Sequence, residues 1–271
     1  MVKMSAFADE VGPELEVQIA ELKKNGVKNI ELRGVWKKNV MKLTDEELKQ
    51  IRAATDKAGM GFSAVGSPLG KFPIDGKLED QIEGTKRAVE IAHKIGAKYI
   101  RVFSFYPPEE GDINDHEAKV MDWLRAMVRV TEVTGVMLAH ENEARIFGEK
   151  ADNCLKIHQQ VPGLAGVFDP ANYVVAGEDC WDAWQKVSKY VHYFHIKDYS
   201  QERKSVVPAG QGDGKIAQIL KAAYAGGFDS FLVLEPHLSH AGAMFGRTSP
   251  ELFATAVKAL KKVLAEIGQK A

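Results

Sequence analysis

The chain has little cysteine, almost no net charge and no long apolar run. Two cysteines in 271 residues, Cys154 and Cys180, stand apart without a CxxC spacing. That arithmetic argues against a disulfide framework or a zinc ribbon and for two buried or half-buried thiols in a reducing cytoplasm. A formal charge of -1, from 36 basic and 37 acidic side chains, supplies no attraction to nucleic acid or an anionic membrane. No stretch approaches the roughly 20 apolar residues of a membrane span. The opening MVKMSAFADE reaches acid too early for a secretion signal,. Also missing are a linker, a low-complexity stretch and a glycine fingerprint for a dinucleotide after the first strand.

What is present is a repeat: a glycine closes a helix and a short apolar run follows. It recurs as NGVKNIE, AGMGFSA, IGAKYIR, TGVMLAH, PGLAGVF and GGFDSFL around Gly26, Gly59, Gly96, Gly135, Gly163 and Gly227, at spacings of 33, 37, 39, 28 and 64 residues. One helix and one strand fill that period, and the last interval is close to two. Each glycine stands where a helix C-cap needs a left-handed residue, and each run has the β-branched and aromatic content of a buried parallel strand. Helical patterns precede them, one with a Thr44 to Glu47 capping box, and a last one starts near Pro250,. With KMSAFA as a first strand and a seventh near YVHYFHI, the chain reads as eight strand and helix pairs. Its length matches the roughly 250 residues of a closed barrel. The expected fold is α/β, a single (β/α)8 TIM-barrel domain over residues 1–271. Turns from helix to strand are short, whereas the segments after strands, such as GSPLGKFPIDG, SFYPPEEGDIND and DYSQERKSVVPAGQGDG, are long. Barrels put active sites on that face.

The last four strands run out into Glu141 (LAHEN), Asp169 (VFDPAN), His195 (YFHIKD) and Glu235 (VLEPH). Singly, an acid after a strand is a turn former or cap, and a histidine there is a buried donor. Together, three carboxylates converging on a barrel axis repel one another unless a cation joins them. Three oxygen ligands with one nitrogen suit manganese or magnesium, with cobalt or zinc next.

The ordered fragments FADE, IELR, NV-x-x-LTDEE, GSPLGK, LAHEN, FDPAN, HIKD, GQGDG and LEPH resemble the sugar phosphate isomerase/epimerase group of xylose-isomerase-like TIM barrels over essentially the whole chain. The resemblance implies that Glu141, Asp169, His195 and Glu235 hold one divalent ion, commonly manganese, and that Glu141 and Glu235 are the acid/base pair. Such a site lets a ketone and its adjacent hydroxyl lose a neighbouring proton through an enediolate. Return of the proton decides epimerisation or isomerisation, and loss of a β-hydroxyl gives dehydration. Two positions depart from the ketose 3-epimerases: Phe147 replaces their second glutamate and Asn172 replaces a histidine. Both speak against a free-ketose 3-epimerase. Asn172 and the absence of basic excess speak against an apurinic endonuclease.

Around this set, Lys197 is expected on the side of His195, binding substrate or pairing with Asp198 or another acid. Lys71 is a substrate contact or a solvated loop lysine. Glu31 faces the site if its parity matches the barrel interior, or else pairs with Arg33. Asn172 and His237 complete the substrate-binding set, and His240 is expected outside it. Gly210, Gly212 and Gly214 form either a plain turn or a phosphate nest. Trp36, Phe72, Tyr106, Phe147, Tyr173 and Tyr199 wall a sugar or anchor loops on the rim. The expected activity is a cytoplasmic, metal-dependent isomerase or epimerase of a small sugar, keto-polyol or sugar phosphate in carbohydrate metabolism. The alternatives are a dehydratase of an inosose-like or keto-acid substrate and a sugar-binding barrel without turnover. Self-association is left open.

Overall fold

A computed structural model describes residues 2–240 and 246–270. Eight strands, β1 (Lys3–Ala6), β2 (Asn29–Leu32), β3 (Gly61–Val65), β4 (Tyr99–Val102), β5 (Met137–Glu141), β6 (Ala165–Phe168), β7 (Val191–Ile196) and β8 (Phe231–Leu234), pair into a closed parallel barrel. Closure is made by β1 on β8, with Lys3 opposite Phe231 and Ala6 opposite Leu234. The helices outside are α1 (Leu15–Lys24), α2 (Asp45–Ala58), α3 (Leu78–Ile95), α4 (Glu117–Thr131), α5 (Ala151–Gln160), α6 (Pro170–Val175), α7 (Cys180–Val187), α8 (Ile216–Ala225) and α9 (Pro250–Glu266). Among the described residues none is long and apolar enough to cross a membrane.

The local signals act as their chemistry requires. Thr44 and Glu47 form a reciprocal capping box at the start of α2, and Ser249 caps α9 ahead of Pro250,. Gly59 and Gly96 end α2 and α3 in the left-handed region, and the other four repeat glycines also have positive φ,. The largest core lies between sheet and helices. A smaller one fills the barrel axis with Phe7, Ala64, Ala139, Ala165, Val167, Tyr193 and Val233. Three alanines among those seven keep the axis narrow, so the charged residues gather above it at the C-terminal strand ends.

The long loops on that face are built onto one another. Gly70, at φ 82, lies so close to β4's continuation that an added Cβ would stand 2.0 Å from the Phe103 carbonyl oxygen,. The approach lets Phe103 and Phe105 donate to the carbonyls of Leu69 and Gly70 at 2.8 and 2.9 Å. After β7, Asp198–Ser200 and Ser205–Val207 form a small antiparallel hairpin. A register shift between Ile30 and Glu31 against β3 alters the phase of β2 just before its acidic residue,.

Candidate active site

Glu141, Asp169, His195 and Glu235 come from the ends of β5, β6, β7 and β8, and each offers one donor atom within 4.8 Å of the others. All four are buried. His195 Nδ1 faces Glu141 Oε1 at 2.8 Å and Glu235 Oε2 at 3.3 Å. Its Nε2 faces Glu31 Oε2 at 3.3 Å. The Glu31 carboxylate therefore orients the imidazole from behind, as an outer carboxylate does for a metal-binding histidine.

Lys197 Nζ lies 2.8 Å from Asp169 Oδ2 and 3.5 Å from Glu235 Oε2, while Asp198 points away from it. His237 Nε2 stands 3.3 Å from Glu235 Oε1. Lys71 does not reach this cluster: it pairs with Glu143 at 2.8 Å and lies over the Phe103 ring. Asn172 is spent on structure. Its backbone N–H is capped by Asp169, and its side-chain amide donates to the Asn142 carbonyl at 2.8 Å. Phe147 and Tyr173 are core side chains, each 1% exposed, so neither walls a sugar. His240 is exposed, and His140 turns toward the helix layer, where Ser104 and His158 of α5 meet it.

Among the residues that shape the site, Arg101 and Asn142 carried no assignment from the sequence, and Arg33 was expected only as a partner for Glu31. Arg101, inside β4, lies between the Phe7 and Phe103 rings at 5.0 and 4.8 Å and sets Nη1 3.4 Å from Glu141 Oε2. Arg33 binds Asp9 through Nε at 2.9 Å and Glu235 through Nη1 at 3.2 Å. Asn142 ties the ends of β5 and β6 by exchanging hydrogen bonds with the Asp169 backbone. The available signal for Arg101 was a charged residue in an otherwise apolar strand.

Charge is unevenly matched here. Six carboxylates, on Asp9, Glu10, Glu31, Glu141, Asp169 and Glu235, meet three permanent cations, on Arg33, Arg101 and Lys197. Burial opposes the charged form of Glu141, but His195 and Arg101 overcome it and hold the carboxyl down at about 2. The same burial would discharge His195, yet Glu141 and Glu31 push its pKa well above the ordinary value. Asp169 is pushed up to about 7 by burial despite Lys197. Two buried oxygens, Glu141 Oε2 and Asp169 Oδ2, are met by charged nitrogens, from Arg101 at 3.4 Å and Lys197 at 2.8 Å. Converging hard donors and more carboxylates than permanent cations fit a divalent cation.

The three glycines after β7 are not free for phosphate. Gly210 and Gly212 donate their N–H groups to Asp198 Oδ2 at 2.9 and 3.0 Å, and Gly214 donates to Oδ1 at 3.0 Å. Side chains at Gly212 or Gly214 would collide with that carboxylate. The nest exists, and the chain fills it with its own anion. The two cysteines are equally committed: both are buried, and burial pushes both thiols up to about 12.

Comparison with known proteins agrees with this architecture. The probable 3-DHS dehydratase AsbF of Bacillus anthracis is similar, with TM-score 0.77 and 15% identity over 96% of this chain and 99% of that one. So is the 3-keto-D-glucoside 4-epimerase YcjR of E. coli, with TM-score 0.73 and 14% identity over 98% and 100%. The IOLI protein, solved with a zinc atom, has TM-score 0.77 and 18% identity over 98% and 99%. No curated protein matches the sequence significantly. At these identities the structures establish the fold. The sequence pattern of the xylose isomerase-like TIM barrel matches residues 19–263, and the chain belongs to that family.

Proposed function

We propose that the strand-end cluster is the active site of a metal-dependent isomerase or epimerase acting on a small ketose or keto-polyol by proton transfer through an enediolate. The observation that carries this reading is the convergence of one donor atom each from Glu141, Asp169, His195 and Glu235 within 4.8 Å of one another in a buried site. A divalent ion held by these four residues, manganese by preference or else magnesium, cobalt or zinc, supplies Lewis acidity toward a carbonyl and its neighbouring hydroxyl.

The protein's own groups supply the rest. Glu141 and Glu235 approach the same His195 nitrogen from different strands, at 2.8 and 3.3 Å, and are assigned as the proton-transfer pair. One takes the proton and the other returns it. Arg101 supports Glu141, while Arg33 and His237 hold Glu235 by its Oε1. Lys197, on Asp169 and Glu235, can hydrogen-bond an oxygen that gains charge as the proton leaves,. Glu31 keeps the imidazole in place.

Glu235→Gln should abolish solvent-deuterium exchange into substrate with the circular dichroism unchanged; exchange that survives rules out the assignment. The likeness to a dehydratase keeps one second reading, loss of a β-hydroxyl at the same centre. Proton NMR of a ketose and inosose panel in D2O separates the two. Only elimination gives an unsaturated or deoxy product.

A further inference from the structure

We infer that Glu10, His237 and Glu235 Oε1 form a second divalent-cation site beside the strand-end centre, with the Glu235 carboxylate bridging the two. The inference does not depend on which reaction that centre carries out.

The seam of the barrel brings the three residues together. β1 pairs with β8, so the turn after β1 sets Glu10 against the residues that follow β8. Each of Glu10, Glu235 and His237 offers one donor atom within 4.8 Å of the others. His237 Nε2 stands 3.4 Å from Glu10 Oε1 and 3.3 Å from Glu235 Oε1. Neither contact is a hydrogen bond. Both exceed the usual N–H···O range of about 2.7–3.2 Å, and Nε2 and Glu10 Oε1 are both buried without such a bond. The spacing suits a shared ion instead, because donors about 2.0–2.2 Å from a tetrahedral ion lie about 3.3–3.6 Å from one another. His237 is 9% exposed, and its ring makes no hydrogen bond among the described residues.

The surrounding groups hold these donors in place. Glu10 Oε2 accepts from the His237 backbone N–H at 3.0 Å and from the Thr248 hydroxyl at 2.6 Å, which leaves Oε1 for the ring side. Gly246 lies against the imidazole, where an added Cβ would stand 1.6 Å from Cδ2. Outer contacts of this kind orient the ligands of metal sites. Glu235 faces both ways, with Oε2 3.3 Å from His195 Nδ1 and Oε1 toward His237. Arg33 lies 3.2 Å from that Oε1, but a carboxylate oxygen has two lone pairs, and Asp9 at 2.9 Å offsets the guanidinium charge,. Six carboxylates against three permanent cations and one divalent ion still leave negative charge in excess. The His237 side chain is 11% exposed, which gives an ion a way in and a water for its remaining position,. One nitrogen and two oxygens suit manganese, cobalt or zinc. Two like charges sharing one carboxylate repel, so the second ion binds after the first and more weakly.

Titration of the full, metal-stripped chain with manganese, followed by calorimetry and electron paramagnetic resonance, tests this. Two ions should bind in separate steps. The hyperfine-split signal of the first should broaden as the second enters, because a shared carboxylate couples their spins. Glu10→Gln keeps an acceptor for Thr248 and the His237 N–H, and should weaken the second step at least about a hundredfold while leaving the first unchanged. His237→Ala should do the same, which keeps the test decisive if Glu10→Gln fails to fold. A single ion per chain at saturation with manganese, cobalt and zinc alike would overturn the site and leave His237 as an ordinary buried neighbour of two carboxylates. A second ion bound equally well by Glu10→Gln and His237→Ala would lie elsewhere and overturn it too. Survival of the first step in Asp169→Asn counts against the strand-end centre instead, so the two readings fail separately.

Discussion

Asp198→Ala removes one carboxylate and strands four backbone donors. The N–H groups of Gly210, Gly212 and Gly214 and of Tyr199 all converge on it at 2.9 to 3.0 Å, and the residue is 1% exposed. Hydrogen bonds to a charged group contribute about 1.5–3 kcal/mol each when nothing replaces them. Gly210 is exposed and Gly212 and Tyr199 are half-buried, so those donors regain water; Gly214 is buried and does not. The expected loss is therefore about 3 kcal/mol, near the value of the one irreplaceable bond plus partial losses at the other three. For a chain of this size it lowers Tm by about 6–12 °C. Urea unfolding followed by circular dichroism gives the free energy, provided the slope with denaturant is unchanged. Added formate should restore part of the loss in Asp198→Ala and do nothing to the unmodified protein, because only the variant has an open nest. A cost under about 1 kcal/mol, with no response to formate, would refute the idea that this carboxylate organises the loop after β7.

Other consequences can be measured on the same preparations. Arg101→Leu should cost about 3 kcal/mol in metal-stripped protein, because it leaves buried Glu141 without its guanidinium, and less with manganese present, since the ion takes over the neutralisation; an equal cost in both states counts against the pairing. Saturating manganese should raise stability by about 2.7 kcal/mol at a hundred times its Kd, and Asp169→Asn should abolish that gain in a thermal-shift assay. Burial pushes His158 down to about 4, below the ordinary 6.5, so the fold favours its neutral form. That contribution is complete above about pH 6.5 and disappears as pH falls toward 4, a loss of up to about 3 kcal/mol. Urea midpoints between pH 7 and 4.5 should fall less steeply in His158→Gln, and an identical pH profile would refute the linkage. Gly70→Ala should destabilise by more than about 2 kcal/mol in the same assay, since the new methyl group meets the Phe103 carbonyl,.

The closed barrel was legible because its signals are local and repeated. A glycine at each helix end and an apolar run after it report backbone conformation and burial directly, and eight such units leave few ways to pair. The four ligand-type residues could be placed for the same reason: each stands where an apolar run stops, although His140 comes before Glu141. The surrounding groups were harder. Arg101 and Glu31 sit inside strands, where sequence shows only a charge among apolar neighbours, and a register shift next to Glu31 sets which face it takes.

The sequence by itself determined the eightfold alternation and the place of Glu141, Asp169, His195 and Glu235 at four consecutive strand ends, because these follow from periodicity and from where apolar runs end. Only the tertiary structure decided the long-range pairings. Asp198 turns back onto the glycines rather than toward Lys197, Lys71 goes to Glu143, Asn172 to Asn142, and Arg33 joins Asp9 to Glu235 from the opposite end of the chain. Partner choice among charged groups depends on distance and burial in space, and neither is encoded by spacing along the chain.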